Sequence, residues 1–237
     1  MDLEFKDKLN KLEKVFKIKI TNPENFEKAL THSSYTRENE LGFLKNYERL
    51  EFLGDAVLKL CISDILYKKY PEAVEGDLTK IRSIVVSDNV LAQIADELNL
   101  NSLVILGKQE EKTGGRNRKS ILACSFEALL GAYFLDGKYS YLLAFLENIF
   151  EKIIKDVKEN FGSFNAKALL QEYTQSINKK TPEYKIKNEK GPEHDKIFIV
   201  EVSYMSEILA FGEGKTKKEA EQNAAYKACL KLEIIKN

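Results

Sequence analysis

Tyr47-Glu48-Arg49-Leu50-Glu51-Phe52-Leu53-Gly54-Asp55-Ala56-Val57-Leu58-Lys59-Leu60 is the stretch that decides the fold of the first part of the chain. At 100° per residue, Glu48, Glu51 and Asp55 fall within about 60° of one another on a helix. Leu50, Phe52, Leu53, Ala56, Val57, Leu58 and Leu60 cover most of the remaining circumference, the pattern of an interior helix. Three clustered carboxylates on such a helix repel one another, and desolvation adds to the cost. A bound divalent cation relieves both, and Mg²⁺ suits such a site because it takes oxygen ligands and keeps several waters. Alternatively, the stripe is solvated on a partly exposed helix, with Asp55 paired to Lys59 at i,i+4. Gly54 in mid-helix costs about 1 kcal/mol relative to Ala, which points to close approach of another helix.

A second segment, Ser120 to Leu135, reads by periodicity as another core helix and contains one charged residue, Glu127. A lone buried carboxylate is expensive unless it is metal-bound or bonded to an Arg or a backbone group.

Outward from these helices, the texture stays helical to about residue 160, as in Val90–Leu98 and Tyr141–Val157. The polar stretch 158–164 reads as a linker. Beyond it Ala166–Ile177 predicts a helix, and Glu183–Asn188, Asp195–Tyr204 and Ile208–Glu213 predict strands, with a turn at Lys190-Gly191-Pro192. Thr216 followed by Glu219 is a capping-box signature opening a helix to about Leu232. The expected fold is an all-α domain over 1–157, a linker over 158–164, and an α+β domain of order α-β-β-β-α over 165–237.

Composition bounds what such a chain does. Its 37 basic and 37 acidic side chains cancel, which at first sight argues against nucleic-acid binding. The cancellation conceals local placement: residues 165–237 hold 13 Lys and Arg against 11 Asp and Glu, and lysines gather at Lys215, Lys217 and Lys218. Cys61, Cys124 and Cys229 have neither metal-ligand nor redox-motif spacing and fit a reducing compartment. Two histidines, His32 and His194, argue against a multi-histidine zinc site or a histidine pair; His32 reads as a polar structural or dimer-surface residue. The start lacks a signal-peptide pattern, and no apolar run approaches the roughly 20 residues of a membrane span. The expectation is a soluble cytoplasmic protein with no membrane partner.

Glu48–Leu58 closely resembles the signature helix of bacterial ribonuclease III. The resemblance extends through Ala29–Tyr35, Glu75–Lys80, Gly114–Ser120, Phe126–Leu129 and Phe134–Gly137. The C-terminal block, with Gly212–Glu221 at its last strand and helix start, is similar to a double-stranded-RNA-binding domain. The resemblance thus covers almost the whole chain in the right order. It implies a helical nuclease domain followed by a duplex-RNA-binding domain, acting as a homodimer in which Phe52 packs across a two-fold axis. It implies cleavage of double-stranded RNA, with divalent metal, to 5′-phosphate and 3′-hydroxyl ends, in ribosomal-precursor, messenger and transfer RNA processing. By the same resemblance Glu51, Asp55 and Glu127 are metal-binding carboxylates, Asp55 and Glu127 being catalytic, and Glu48 and Glu75 form an outer acidic pair. The metal is Mg²⁺, with Mn²⁺ as a possible substitute.

One position departs from the family pattern: Cys124 stands where the family carries Asp, three residues before Glu127. A neutral thiol removes a negative charge, and sulfur prefers softer ions than Mg²⁺. Either water takes the missing ligand's place and the enzyme works with altered metal affinity, or the chain is a non-catalytic duplex-RNA binder with a degenerate nuclease site.

A-form RNA is read by shape, across successive minor grooves and the intervening phosphates. The expected contacts are Gln171 and Glu172 on the first helix of the domain, His194 in the turn after Gly191, and Lys215, Lys217 and Lys218 at the last helix start, where unpaired N–H groups favour phosphate. The Arg116–Lys119 loop is expected to add phosphate contacts.

Overall fold

The computed structural model describes residues 3–192 and 196–235, so the expected contact at His194 lies outside the described residues. The chain forms two compact units, Met1–Lys155 and Asp156–Asn237.

The first unit is helical. Helices α1 (Leu3–Phe16), α2 (Pro23–Leu30) and α3 (Ser33–Glu38) lead to the long α4 (Glu48–Lys69). Then come α5 (Glu75–Val85), α6 (Asp88–Glu97), the short α7 (Lys108–Lys112), α8 (Lys119–Leu135) and α9 (Tyr139–Glu159). Helix α8 is the hub because its sequence is apolar on nearly every side; residues from Ile121 to Tyr133 are buried except Cys124 and Glu127, which are half-buried. Against it pack α4, α6 and α2. At its end the Asp136 carboxylate accepts from the backbone N–H groups of Thr21 (2.8 Å) and Asn22 (2.7 Å), tying the start of α2 to α8. Two backbone donors leading into that helix, one of them on the N-cap residue, are thereby satisfied.

The crossing of α4 and α8 explains Gly54. A Cβ there would lie 1.7 Å from the Glu127 carbonyl oxygen, and one at Gly131 would lie 2.4 Å from the Leu50 carbonyl oxygen. The two backbones touch, glycine on one helix against backbone of the other, with no room for even a methyl group.

Helix α4 is less enclosed than its apolar circumference predicts. Leu50, Gly54, Val57, Leu58, Cys61 and Ile62 are buried, but Phe52, Leu60 and Tyr67 are 82%, 54% and 75% exposed, with Ala56 exposed between them. Within one protomer α4 is only partly covered, because circumference records which residues are apolar and not how many neighbours arrive to cover them.

In the second unit, α10 (Phe161–Phe164) and α11 (Ala166–Asn178) precede strands β1 (Glu183–Lys190), β2 (Ile197–Tyr204) and β3 (Glu207–Gly214), and α12 (Lys217–Lys231) closes the unit. The sheet is antiparallel in the order β1-β2-β3. Helices α11 and α12 cover one face, where Val200, Val202 and Leu209 meet Leu170, Ala220, Ala224 and Ala228. Alanines on α12 let the sheet approach, and Gly212 completes the fit: a Cβ there would stand 2.1 Å from the Ala224 nitrogen. Stretch 158–164, expected as a linker, carries the end of α9 and all of α10, and the Ser163 carbonyl accepts from Gln222 Nε2 (2.8 Å). Among the described residues, no helix is long and apolar enough to cross a membrane.

Candidate functional site

The α4–α8 crossing sets the site. With backbones in contact at Gly54, the side chains of Glu51 and Asp55 on α4 face Cys124 and Glu127 on α8. Burial pushes the Glu127 carboxyl up from its ordinary 4.5 to about 7, and the charges of Asp55, Glu51 and Asp88 push the same way, against Lys59. Glu127 is therefore poised near neutrality, as expected of a functional carboxylate rather than one already neutralised by an Arg. Burial likewise raises the Cys124 thiol to about 12, with the nearby charge of Glu51 next and the thiol's hydrogen bond to Glu51 after it. Cys124 is thus a neutral donor to a carboxylate, not a thiolate ligand.

The solvated alternative for the stripe is realised in one detail, since Lys59 Nζ lies 2.7 Å from Asp55 Oδ2 on the partly exposed side of α4. The donor set is oxygen-rich, with one neutral sulfur and one nearby cation, and that chemistry fits a hard divalent ion. Among the described residues, no three His, Cys, Asp or Glu side chains close into a group able to hold a metal ion. The carboxylates face one another without converging on one point.

Glu48 and Glu75 each stand at the start of a helix. Glu48 opens α4 and lines a cavity of about 690 Å³ with Arg49, Phe52 and Leu135. Glu75 opens α5, its Oε1 accepts from Thr79 Oγ1 (2.9 Å), and it lines a separate cavity of about 670 Å³ with Leu60, Tyr67 and Arg82. Neither is among the principal causes of the Glu127 shift. Asp88, the first residue of α6, is among them and has no counterpart in the sequence reading; its signal was only an acidic residue at a helix start.

In the Arg116–Lys119 loop Arg116 is partly covered, while Arg118 and Lys119 are exposed, each with polar partners within the unit. Arg116 pairs with Glu111 and donates to the carbonyls of Asn101 (2.5 Å) and Val104 (2.9 Å). Arg118 binds Glu110 (2.5 Å) and Thr113, and Lys119 donates to Asn89 (3.1 Å). A guanidinium has five donors in a rigid fork, and here the fork holds a loop together. His32 caps α3, its Nδ1 accepting from the Ser34 N–H (3.1 Å), and burial lowers its pKa, so it is a structural residue.

In the second unit Gln171 and Glu172 lie exposed on α11. Thr216 caps α12 by accepting from the Glu219 N–H (3.1 Å), while Glu219 accepts from the Lys215 N–H (2.8 Å). The Thr216 half of the capping box is realised, with Glu219 reaching one residue further back, and Lys215, Lys217 and Lys218 are on the surface at the helix start. Lys217 Nζ sits 5.7 Å from the centre of the Phe198 ring, which steadies its stem without burying its charge.

A family model for ribonuclease-III-like proteins matches residues 22–155, and one for the double-stranded RNA binding motif matches residues 166–232. The chain is 45% identical to Ribonuclease 3 of Borreliella burgdorferi, over 98% of this chain and 94% of that protein. It is 43% identical to Ribonuclease 3 of Bacillus licheniformis, over 96% and 91%. Among solved structures it is similar to the nuclease domain of ribonuclease III from Campylobacter jejuni, with a TM-score of 0.56 and 35% identity, over 61% of this chain and 96% of that one. That structure is described for flexibility in the region involved in dimer formation.

Proposed function

The chain belongs to the ribonuclease III family of double-stranded-RNA endonucleases, and on that premise we propose that it hydrolyses duplex RNA with a divalent metal ion held by Glu51, Asp55 and Glu127. Mg²⁺ is the ion of this reading, Mn²⁺ its substitute, and the products carry 5′-phosphate and 3′-hydroxyl ends. The observation that carries it is Glu127, half-buried and opposite Glu51 and Asp55, with its carboxyl raised to about 7. When bound, such an ion supplies an activated water and offsets charge on the phosphoryl oxygens. The protein's part is to gather negative charge that two touching backbones hold in place. Lys59 tempers Asp55, and the Cys124 thiol donates to Glu51 and limits its orientation. Glu48 and Glu75 form an outer acidic pair in this reading.

Residues 1–157 would then carry the chemistry and 165–237 the grip on the duplex. Gln171 and Glu172 meet one minor groove, while Lys215, Lys217 and Lys218 meet phosphates. The exposed apolar stripe of Phe52, Leu60 and Tyr67 favours a homodimer, because an uncovered row of large apolar side chains is costly in water. The substrates are structured ribosomal-precursor, messenger and transfer RNAs in the cytoplasm.

The test is incubation of the purified protein with a long RNA duplex, with and without Mg²⁺ or Mn²⁺. Short duplex products only with metal are expected, and Asp55→Ala and Glu127→Ala should lose cleavage while still binding duplex. Full activity in either variant would refute the site. Retention of uncut duplex under every condition would leave a non-catalytic binder, the alternative that Cys124 raises.

A further inference from the structure

Two stretches flank residues 166–232, the span of the RNA binding motif, and they meet each other. Before it lies α10, whose Gly162 faces the end of the chain: a Cβ there would stand 3.0 Å from Ile235 Cγ2 and 3.1 Å from its Cδ1. The bare glycine is what lets that isoleucine lie against α10. After the motif, the chain is turned back by the way α12 ends. Glu233 takes the left-handed backbone (φ 56°), its N–H donates to the Leu230 carbonyl (3.1 Å), and the Ile234 N–H donates to the Cys229 carbonyl (2.9 Å). These are the paired bonds that reverse a chain after a helix. Ile234 and Ile235 are thereby laid against the core of the second unit. Two side chains of α12 fasten the same place, Gln222 Nε2 donating to the Ser163 carbonyl (2.8 Å) and the buried Cys229 Sγ to the Ala166 carbonyl (3.5 Å). A helix of 4 residues cannot stand alone, so α10 exists because of these contacts.

We propose that α10 and the C-terminal tail form a clasp, and that Ile235 and Gln222 are positioning residues for duplex cleavage. Closed, the clasp keeps residues 161–164 folded onto the RNA-binding unit and so shortens the free chain that tethers this unit to the helical one. Open, it returns those residues to the tether. Tether length sets the effective concentration of one unit at a duplex held by the other, which falls roughly as the −3/2 power of length. Gln171, Glu172, Lys215, Lys217 and Lys218 take no part in the contacts of the clasp, so opening it changes the delivery of the duplex and not the grip on it. The inference rests on the duplex-cleaving function proposed above and adds to it a device that couples binding to cutting.

The test compares three variants of the full-length protein. Ile235→Asp puts a charge on the apolar contact, Gln222→Ala removes the donor to Ser163 from the other side, and Ile235→Leu keeps the contact apolar. Chymotrypsin should cut after Phe161 or Phe164 about tenfold faster in the first two, because cutting follows the population of the opened state. Single-turnover cleavage of an RNA duplex at saturating protein should slow about threefold in both, the loss expected when a tether doubles in length, with duplex affinity within about twofold of wild type. Ile235→Leu should match wild type in all three measurements. A loss of affinity as large as the loss of cleavage would show a merely structural role and overturn the inference. Unaltered cutting at Phe161 and Phe164 would overturn it too, as would unaltered duplex cleavage despite faster cutting. A wild-type protein that leaves duplex uncut would sink the proposed function and the positioning role with it, while the chymotrypsin rates would still decide whether the clasp exists.

Discussion

The two units concentrate charge in opposite ways. In the first, carboxylates are pressed together where α4 and α8 touch backbone to backbone, and the half-buried Glu127 answers with a carboxyl raised to about 7. In the second, lysines stand exposed at the start of α12, on the water-facing surface. Charge destined for a small ion has to be assembled against its own repulsion, and the packing of two helices supplies the restraint. Charge destined for a long polyanion needs only to be displayed, because the partner brings its own field and releases its own counterions. Each unit uses glycine to reach its arrangement, Gly54 at the helix crossing and Gly212 where β3 lies on α12.

The largest effect that would break this contrast is steric. Gly54→Ala should destabilise the first unit by about 3 kcal/mol or more, since the new methyl meets a carbonyl that cannot swing aside. Denaturant unfolding should show that unit's transition moving to lower denaturant while the second unit's stays in place. A shift below about 1 kcal/mol would mean the helices separate easily, and the restraint on the carboxylates would be lost as an explanation.

Next in size is the displayed charge. Replacing both Lys217 and Lys218 by Ala should weaken duplex binding at least about tenfold, regardless of sequence, and lower the salt-dependence slope by roughly 1 to 2. Affinity measured at several salt concentrations gives both quantities, and an unchanged slope would remove these lysines from the interface.

Cys124→Asp tests the assembled charge from the other direction. Adding a carboxylate oxygen and a negative charge should tighten Mg²⁺ binding about tenfold. Equal Mg²⁺ affinity in the variant and the wild type would place residue 124 outside the ion's reach.

The smallest expected effect is on pH. Glu127 must lose its proton to serve as a ligand, so Mg²⁺ affinity should fall about threefold between pH 7.5 and 6.5, following a carboxyl that titrates near 7. The sign for folding is the reverse. A carboxyl raised in the folded state is easier to keep protonated there, so the metal-free protein loses stability as pH rises from about 4.5 to about 7. A pH-independent affinity would show that Glu127 is already ionised or does not bind the ion.

Much of the architecture was legible along the chain. The spacing of Glu51 and Asp55 gave their shared face, Gly54 announced a close crossing, and the capping box at Thr216 placed the start of α12 within one residue. Less visible was what crosses or covers an element. Nothing local distinguishes Phe52, 82% exposed, from Leu58, fully buried on the same helix. A basic loop likewise gives no sign of the carbonyls and carboxylates that Arg116 and Arg118 meet beside it. Asp88 lies 39 residues from Glu127 in the sequence, and no local signal tells that its charge helps to raise the Glu127 carboxyl.

The sequence by itself determined the helical first unit, the α-β-β-β-α order of the second, and which residues share a face. Those properties depend on periods of 3.6 and 2 residues and on turn chemistry that a short window contains. The tertiary structure alone decided that α4 leaves a stripe uncovered, that Gly131 and Gly212 are contact points, and that acids from α4, α6 and α8 act on one another. Burial and electrostatic coupling arise between segments distant along the chain, and no local pattern records the distance at which they meet.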